Sequence, residues 1–180
     1  MQTALLLIDA QQSFTRRPQW GSDDVPGFLA RCNELIAGCA ERGVPVVRVF
    51  HVDAPESADN PFSKASGLIR PLDGLAPFDA AATFEKHRHS ALVGTGLPIW
   101  LREQGINRLV IAGIRTEQCC ETTARHASDE GFEIDYVTEA TATTDLPGLP
   151  AALIKQRTAA VLAGRFATIC SVPEALQRAR

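Results

Sequence analysis

The 180-residue sequence has no long apolar run, no concentration of positive charge and no paired-cysteine pattern, and each lack removes a class of protein. The apolar run in QTALLLIDA after Met1 is too short to span a membrane and carries neither a basic leader nor a small-residue cleavage site. It reads as a buried strand, so the chain is expected in the cytoplasm, with no membrane partner. A formal charge of -3 and a pI near 5.8 arise from scattered acidic and basic residues, so no basic stripe faces a phosphate backbone and nucleic acid is not an expected partner. Cys32, Cys39, Cys119, Cys120 and Cys170 are odd in number and fall at spacings of neither a disulfide framework nor a CxxC pair with a second half. Reduced thiols in a reducing compartment are expected. DAQQSF follows the first strand where a dinucleotide site would carry GxGxxG, and no phosphate-binding GxxxxGK motif occurs, so no nucleotide cofactor is expected. Internal repeats, low-complexity tracts and linkers are also lacking. One domain over 1–180 is therefore the expectation, and 45% hydrophobic residues suffice for its core.

What is present is alternation. Short apolar or β-branched runs at 4–8, 44–50, 108–112, 133–137 and 166–169, with a strand-like segment at 82–84, predict strands. Helical spacing at 25–42, 94–104, 117–130 and 150–163 is closed or followed by glycine at 43, 105, 131 and 164. Strand and helix in repetition predict an α/β fold, a doubly wound, mainly parallel sheet between two helical layers. Residues 52–80 are rich in proline, glycine, serine and aspartate, and read as a long loop that shapes a binding site. In such sheets ligands bind beyond the carboxyl ends of the strands, so residues just after 8, 50, 84 and 113 should share one rim.

Candidates on that rim follow from residue type. Asp9, after four apolar residues, suits a partly desolvated general base, although capping the following turn would explain it equally well. Lys86 could hold a carboxylate and a thiolate in their charged forms, or be a solvated surface lysine. Helical phase separates the vicinal thiols. With Thr116 as N-cap, Cys120, Ala124, Ala127 and Gly131 form the stripe that faces a sheet, which makes Cys120 packing. Cys119 lies about 100° around the helix, beside Thr123 and His126, in the first turn, where free N–H groups and the macrodipole favour an anion. It is the better nucleophile, against the alternative that both cysteines are inert core residues. Gly113 permits a tight turn, and amides around Arg115 to Cys119 could converge on a carbonyl oxygen. His87 and His89 are two apart, and His51 has only Asp53 near it in sequence, so no metal site is expected. His51, at the end of the second strand, could still line a pocket.

Three of these pieces also occur together in a known family. The chain resembles the isochorismatase-like cysteine hydrolases over nearly its whole length. It matches D-x-Q-x-x-F with Asp9, Gln11 and Phe14, a lysine after the third strand with Lys86, and G-x-x-T-x-x-C-x-x-x-T with Gly113, Thr116, Cys119 and Thr123. The resemblance implies a six-stranded parallel sheet flanked by helices and a triad of Cys119, Asp9 and Lys86. It also implies a cis peptide between Ile114 and Arg115 that aims the amides of Arg115 and Cys119 into an oxyanion hole. Four departures stand out. Val49, Phe50 and His51 lack the aspartate of the D-x-H metal motif of nicotinamidases, Arg115 replaces a small residue, Cys120 replaces valine, and Glu139 replaces aspartate.

The leading expectation is a hydrolase of amide or carbamoyl C–N bonds that works through a Cys119 thioester on a small molecule bound near Phe14, His51, Ile114 and the 52–80 loop. A second reading is vinyl-ether hydrolysis with Asp9 as general acid. A third is a non-enzymatic thiol sensor using Cys119 and Cys120, for which neighbouring residues offer only strained disulfide geometry. A homodimer or larger homo-oligomer is expected, with the region after the fourth strand and residues 141–172 in the contact.

Overall fold

The apolar runs become six strands in the computed structural model, which describes residues 2–179; Met1 and Arg180, the ends of the expected domain, lie outside the described residues. The strands are β1 (Gln2–Ile8), β2 (Val46–His51), β3 (Ala82–Lys86), β4 (Ile106–Ile114), β5 (Glu133–Ala142) and β6 (Thr168–Ile169). All neighbours pair in parallel, in the order β3-β2-β1-β4-β5-β6. Strand pleating then sorts the side chains. Leu5 and Leu7 point to one face, with α1 (Val25–Glu41) and α5 (Val172–Arg178) packed on it. Ala4, Leu6 and Ile8 point to the other, covered by α2 (Leu97–Glu103), α3 (Glu121–Asp129) and the end of α4 (Ala151–Leu162). The result is the three-layer, doubly wound α/β/α fold expected from the alternation.

The strand order has a consequence for function. From β1 the chain builds outward through β2 and β3, then returns to the other side of β1 with β4. The carboxyl ends of β1 and β4 therefore flank the reversal of order, where open α/β sheets bind their ligands. Gly113 makes that closeness possible. It pairs with Ile8 at φ +129°, and a Cβ built there would lie 1.9 Å from the Ile8 carbonyl oxygen.

Several elements differ from the sequence expectation, each for a local reason. Between β4 and α3, Thr116–Cys120 form a π-helical turn, so Thr116 lies inside the turn and the extended Arg115 precedes it. α3 ends at Asp129, and Gly131 is exposed beyond it rather than on the sheet-facing stripe. α2 begins three residues late because Gly94 sits at φ +69°, outside helical geometry. β5 runs to Ala142 because, after a register shift, Thr141 and Ala142 pair again with Gly113 and Ile114. α5 was not expected at all. Its seven residues start on a capping box in which Ser171 and Glu174 satisfy each other's backbone N–H groups. Glu139, the residue found in place of aspartate, accepts a hydrogen bond from Val172 N at 2.7 Å and so ties β5 to the start of α5. The 52–80 loop contributes more than a cover, since Phe62 and Leu72 are buried in the core. Among the described residues no helix is long and apolar enough to cross a membrane.

Candidate active site

β1 delivers Asp9 to the rim with an unusual backbone. Its φ is +52°, in the left-handed region that a non-glycine residue visits at some cost, while its N–H donates to Val49 O at 2.8 Å. The side chain is fully buried. Compensation comes from β3. Lys86 is equally buried, with Nζ 2.7 Å from Asp9 Oδ2. A buried charge with no partner is costly, so the two are held as a pair. Three further acceptors surround the ammonium: His51 Nδ1 at 3.0 Å, Arg88 O at 3.1 Å and Cys119 Sγ at 3.3 Å.

Cys119 arrives from the π-turn after β4 and is buried but for a sliver of its surface. Adjacent Cys120 is fully buried in the sheet-facing layer, among Ala124 and Ala127. All five cysteines are free thiols. The Ile114–Arg115 peptide is cis. Tyr136 donates its hydroxyl hydrogen to Thr116 O at 2.8 Å, and Thr116 donates its own to Thr141 Oγ1 at 2.8 Å, so β5 pins the turn that carries the thiol.

Proton affinities in this cluster depart from ordinary values. Burial pushes the Cys119 thiol up to about 12, the negative charge of Asp9 adds to the rise, and Lys86 opposes both. Burial and the neighbouring carboxylate thus act against the anion that the first turn's N–H groups favour. Burial also raises the carboxyl of Asp9, against the pull of Lys86. For Lys86 burial alone would lower the value, but Asp9 and Cys119 outweigh it and the ammonium is held charged. His51 is lowered, first by burial and then by Lys86, and stays neutral at pH 7.

A cleft of about 280 Å³ opens onto the thiol, lined by Phe14, Arg17, His51, Asp53, Phe62, His89, Arg115, Gln118 and Cys119. Of the residues expected to contact substrate, Phe14 and His51 line this cleft. Ile114 lines a neighbouring one with Trp20 and Thr143. Arg115 does not add the free positive charge that its sequence position suggested, because Glu117 pairs with it at 2.9 Å. Sequence reasoning missed Arg17, whose guanidinium lies 4.5 Å above the Phe62 ring, and His89, whose Nδ1 is 3.9 Å from Cys119 Sγ. His89 follows β3 by three residues and was open to the same rim argument as Lys86. For Phe62, deep in an irregular loop, no sequence signal exists. Among the described residues no three His, Cys, Asp or Glu side chains cluster in a way that could hold a metal ion.

Comparison with known proteins matches residues 3–174 to the Isochorismatase domain. A secreted isochorismatase effector from Verticillium dahliae is 25% identical over 94% of this chain and 87% of its own length. The ureidoacrylate amidohydrolase RutB of Acinetobacter baylyi is 34% identical over 75% of this chain and 66% of its own. Among solved structures, an isochorismatase from Pseudomonas putida superimposes with a TM-score of 0.81 at 27% identity, covering 95% of this chain and 88% of that one.

Proposed function

The chain belongs to the isochorismatase family of hydrolases, and from that premise we propose that it cleaves an amide or ureido C–N bond of a small molecule through a thioester on Cys119. The observation that carries this reading is the contact of one buried ammonium with both a carboxylate, at 2.7 Å, and a thiol, at 3.3 Å, where the thiol lines a cleft. A cleft of about 280 Å³ suits a metabolite-sized substrate. That a relative is named an amidohydrolase supports the choice of C–N over other bonds.

Asp9 is the base. Its raised proton affinity fits it to take the thiol proton as sulfur attacks the substrate carbonyl. As negative charge forms on sulfur, the Lys86 ammonium 3.3 Å from Sγ stabilises it as an ion pair. The amides of Arg115 and Cys119 would receive the carbonyl oxygen. Collapse of the tetrahedral adduct breaks the C–N bond, and the proton held by Asp9 leaves with the amine. Asp9 then draws a proton from water as the water oxygen attacks the thioester; collapse of this second adduct breaks the C–S bond and releases the acid, and the expelled sulfur takes the proton back from Asp9.

Paired variants assayed on small carboxamides, ureido acids and a vinyl-ether acid test the reading. Cys119→Ala and Asp9→Asn should both abolish C–N cleavage. Full activity in Cys119→Ala with loss in Asp9→Asn would instead assign acid catalysis by Asp9. Five free thiols fit a reducing compartment such as the cytoplasm. Leu146, Leu149 and Leu153, at 37%, 45% and 44% exposure, form an apolar stretch after β5 through which we infer that the chain associates with itself.

A further inference from the structure

Lys86 carries three protons, and one of them goes to a side chain that the proposed mechanism leaves without a role. His51 Nδ1 lies 3.0 Å from Lys86 Nζ, and its other nitrogen, Nε2, lies 2.9 Å from Asp53 Oδ1. An ammonium has no lone pair, so Nδ1 must be the acceptor. Nε2 then carries the proton of the neutral ring and donates it to Asp53. The tautomer is therefore set by the two partners together.

We propose that His51 and Asp53 form a positioning pair that orients the Lys86 ammonium toward Cys119, with Asp53 holding His51 in the tautomer that can accept from Lys86. This inference rests on the thioester reading for the role given to Lys86. Both members of the pair are fixed in advance. Gln11, from the first of the three motifs, grips the His51 backbone from both sides: its Oε1 accepts from His51 N at 2.7 Å and its Nε2 donates to His51 O at 2.9 Å. The ring stands edge-on to Phe62, with centroids 6.0 Å apart. Asp53 is anchored where its N–H donates to Phe62 O at 2.8 Å and its carbonyl accepts from Asn60 Nδ2 at 3.2 Å. Asp9 Oδ2, His51 Nδ1 and Arg88 O together hold Nζ from its other sides and keep it 3.3 Å from sulfur. Remove the His51 acceptor and the ammonium is free to turn away from Cys119. The same geometry excludes His51 as the base for the thiol, because its one lone pair is already engaged.

The test separates orientation from packing. His51→Phe keeps an aromatic ring in the place of the imidazole but offers no acceptor; His51→Gln loses the ring but its Oε1 can accept from Lys86. The rate of Cys119 alkylation by iodoacetamide, which needs no substrate, should fall on the order of tenfold in His51→Phe and be largely restored in His51→Gln. A packing role gives the opposite order, and that order would overturn the proposal. Nitrogen NMR of histidine-labelled wild-type protein should show His51 protonated at Nε2 and bare at Nδ1, with the preference weakened in Asp53→Ala. A proton on Nδ1 in the wild type would overturn it even if a variant failed to fold. Failure of the thioester reading is distinguishable, since it shows as retained hydrolysis in Cys119→Ala whatever the tautomer of His51.

Discussion

At the scale of single residues, the chemistry turns on one proton shared between a carboxylate and a thiol beside a fixed cation. Cys119 is raised to about 12 by burial and by Asp9, and lowered by Lys86. Removing the carboxylate in Asp9→Asn deletes a raising influence, so the pH at which Cys119 becomes alkylated by iodoacetamide should move down. Lys86→Ala deletes the lowering influence and should move that pH up. Turnover is expected to be lost in both. Lys86→Ala also strands a buried carboxylate, and a thermal melt at pH 7 should show a loss of about 3–5 kcal/mol, less whatever Asp9 recovers by taking up a proton. The three motif residues were legible in the sequence because each ends or follows a recognisable strand. Their proton affinities were not. Those depend on burial and on neighbours from β1, β3 and the π-turn, and separations along the chain do not report such proximities. His51 was legible only as a pocket residue, since its contact with Lys86 exists only after β2 and β3 pair.

Among the elements, the junction of β1 with β4 is the least forgiving. Gly113→Ala would place a Cβ 1.9 Å from Ile8 O on a backbone at φ +129°. It should destabilise by roughly 3 kcal/mol or more and distort the turn that carries Cys119, read as a lowered melting temperature together with lost activity. The capping box at α5 is a milder case. Ser171→Ala should cost about 1 kcal/mol in a denaturant titration, with the active-site cleft unaffected. The long strands and helices were readable from periodicity, because a core on both sheet faces demands it. The π-turn was not, because a helical pattern does not distinguish its first turn from α-helix. α5 left a trace only in the serine and glutamate of its cap, since a helix of seven residues is too short to show a period.

For the whole molecule, the strand order places the ends of β1, β2, β3 and β4 on one rim, and one cleft collects what they carry. The parallel layered fold was therefore legible from the alternation, whereas the shape of the cleft depends on a long loop whose packing residues, such as Phe62, follow no pattern. Self-association belongs to this scale as well. The chain should elute as a dimer or larger at micromolar concentration, and Leu149→Glu should shift it toward monomer by placing a charge in the apolar stretch around Leu146 and Leu153. A wild-type monomer at that concentration would contradict the assignment.

The most direct test of the central claim is acid-quenched mass spectrometry of the enzyme mixed with a small ureido acid or carboxamide that it hydrolyses. A thioester mechanism predicts a transient acyl group on the peptide carrying Cys119, which disappears as product forms and is absent in Cys119→Ala. Steady hydrolysis with no acyl group on Cys119 at any quench time, and unchanged turnover in Cys119→Ala, would contradict it.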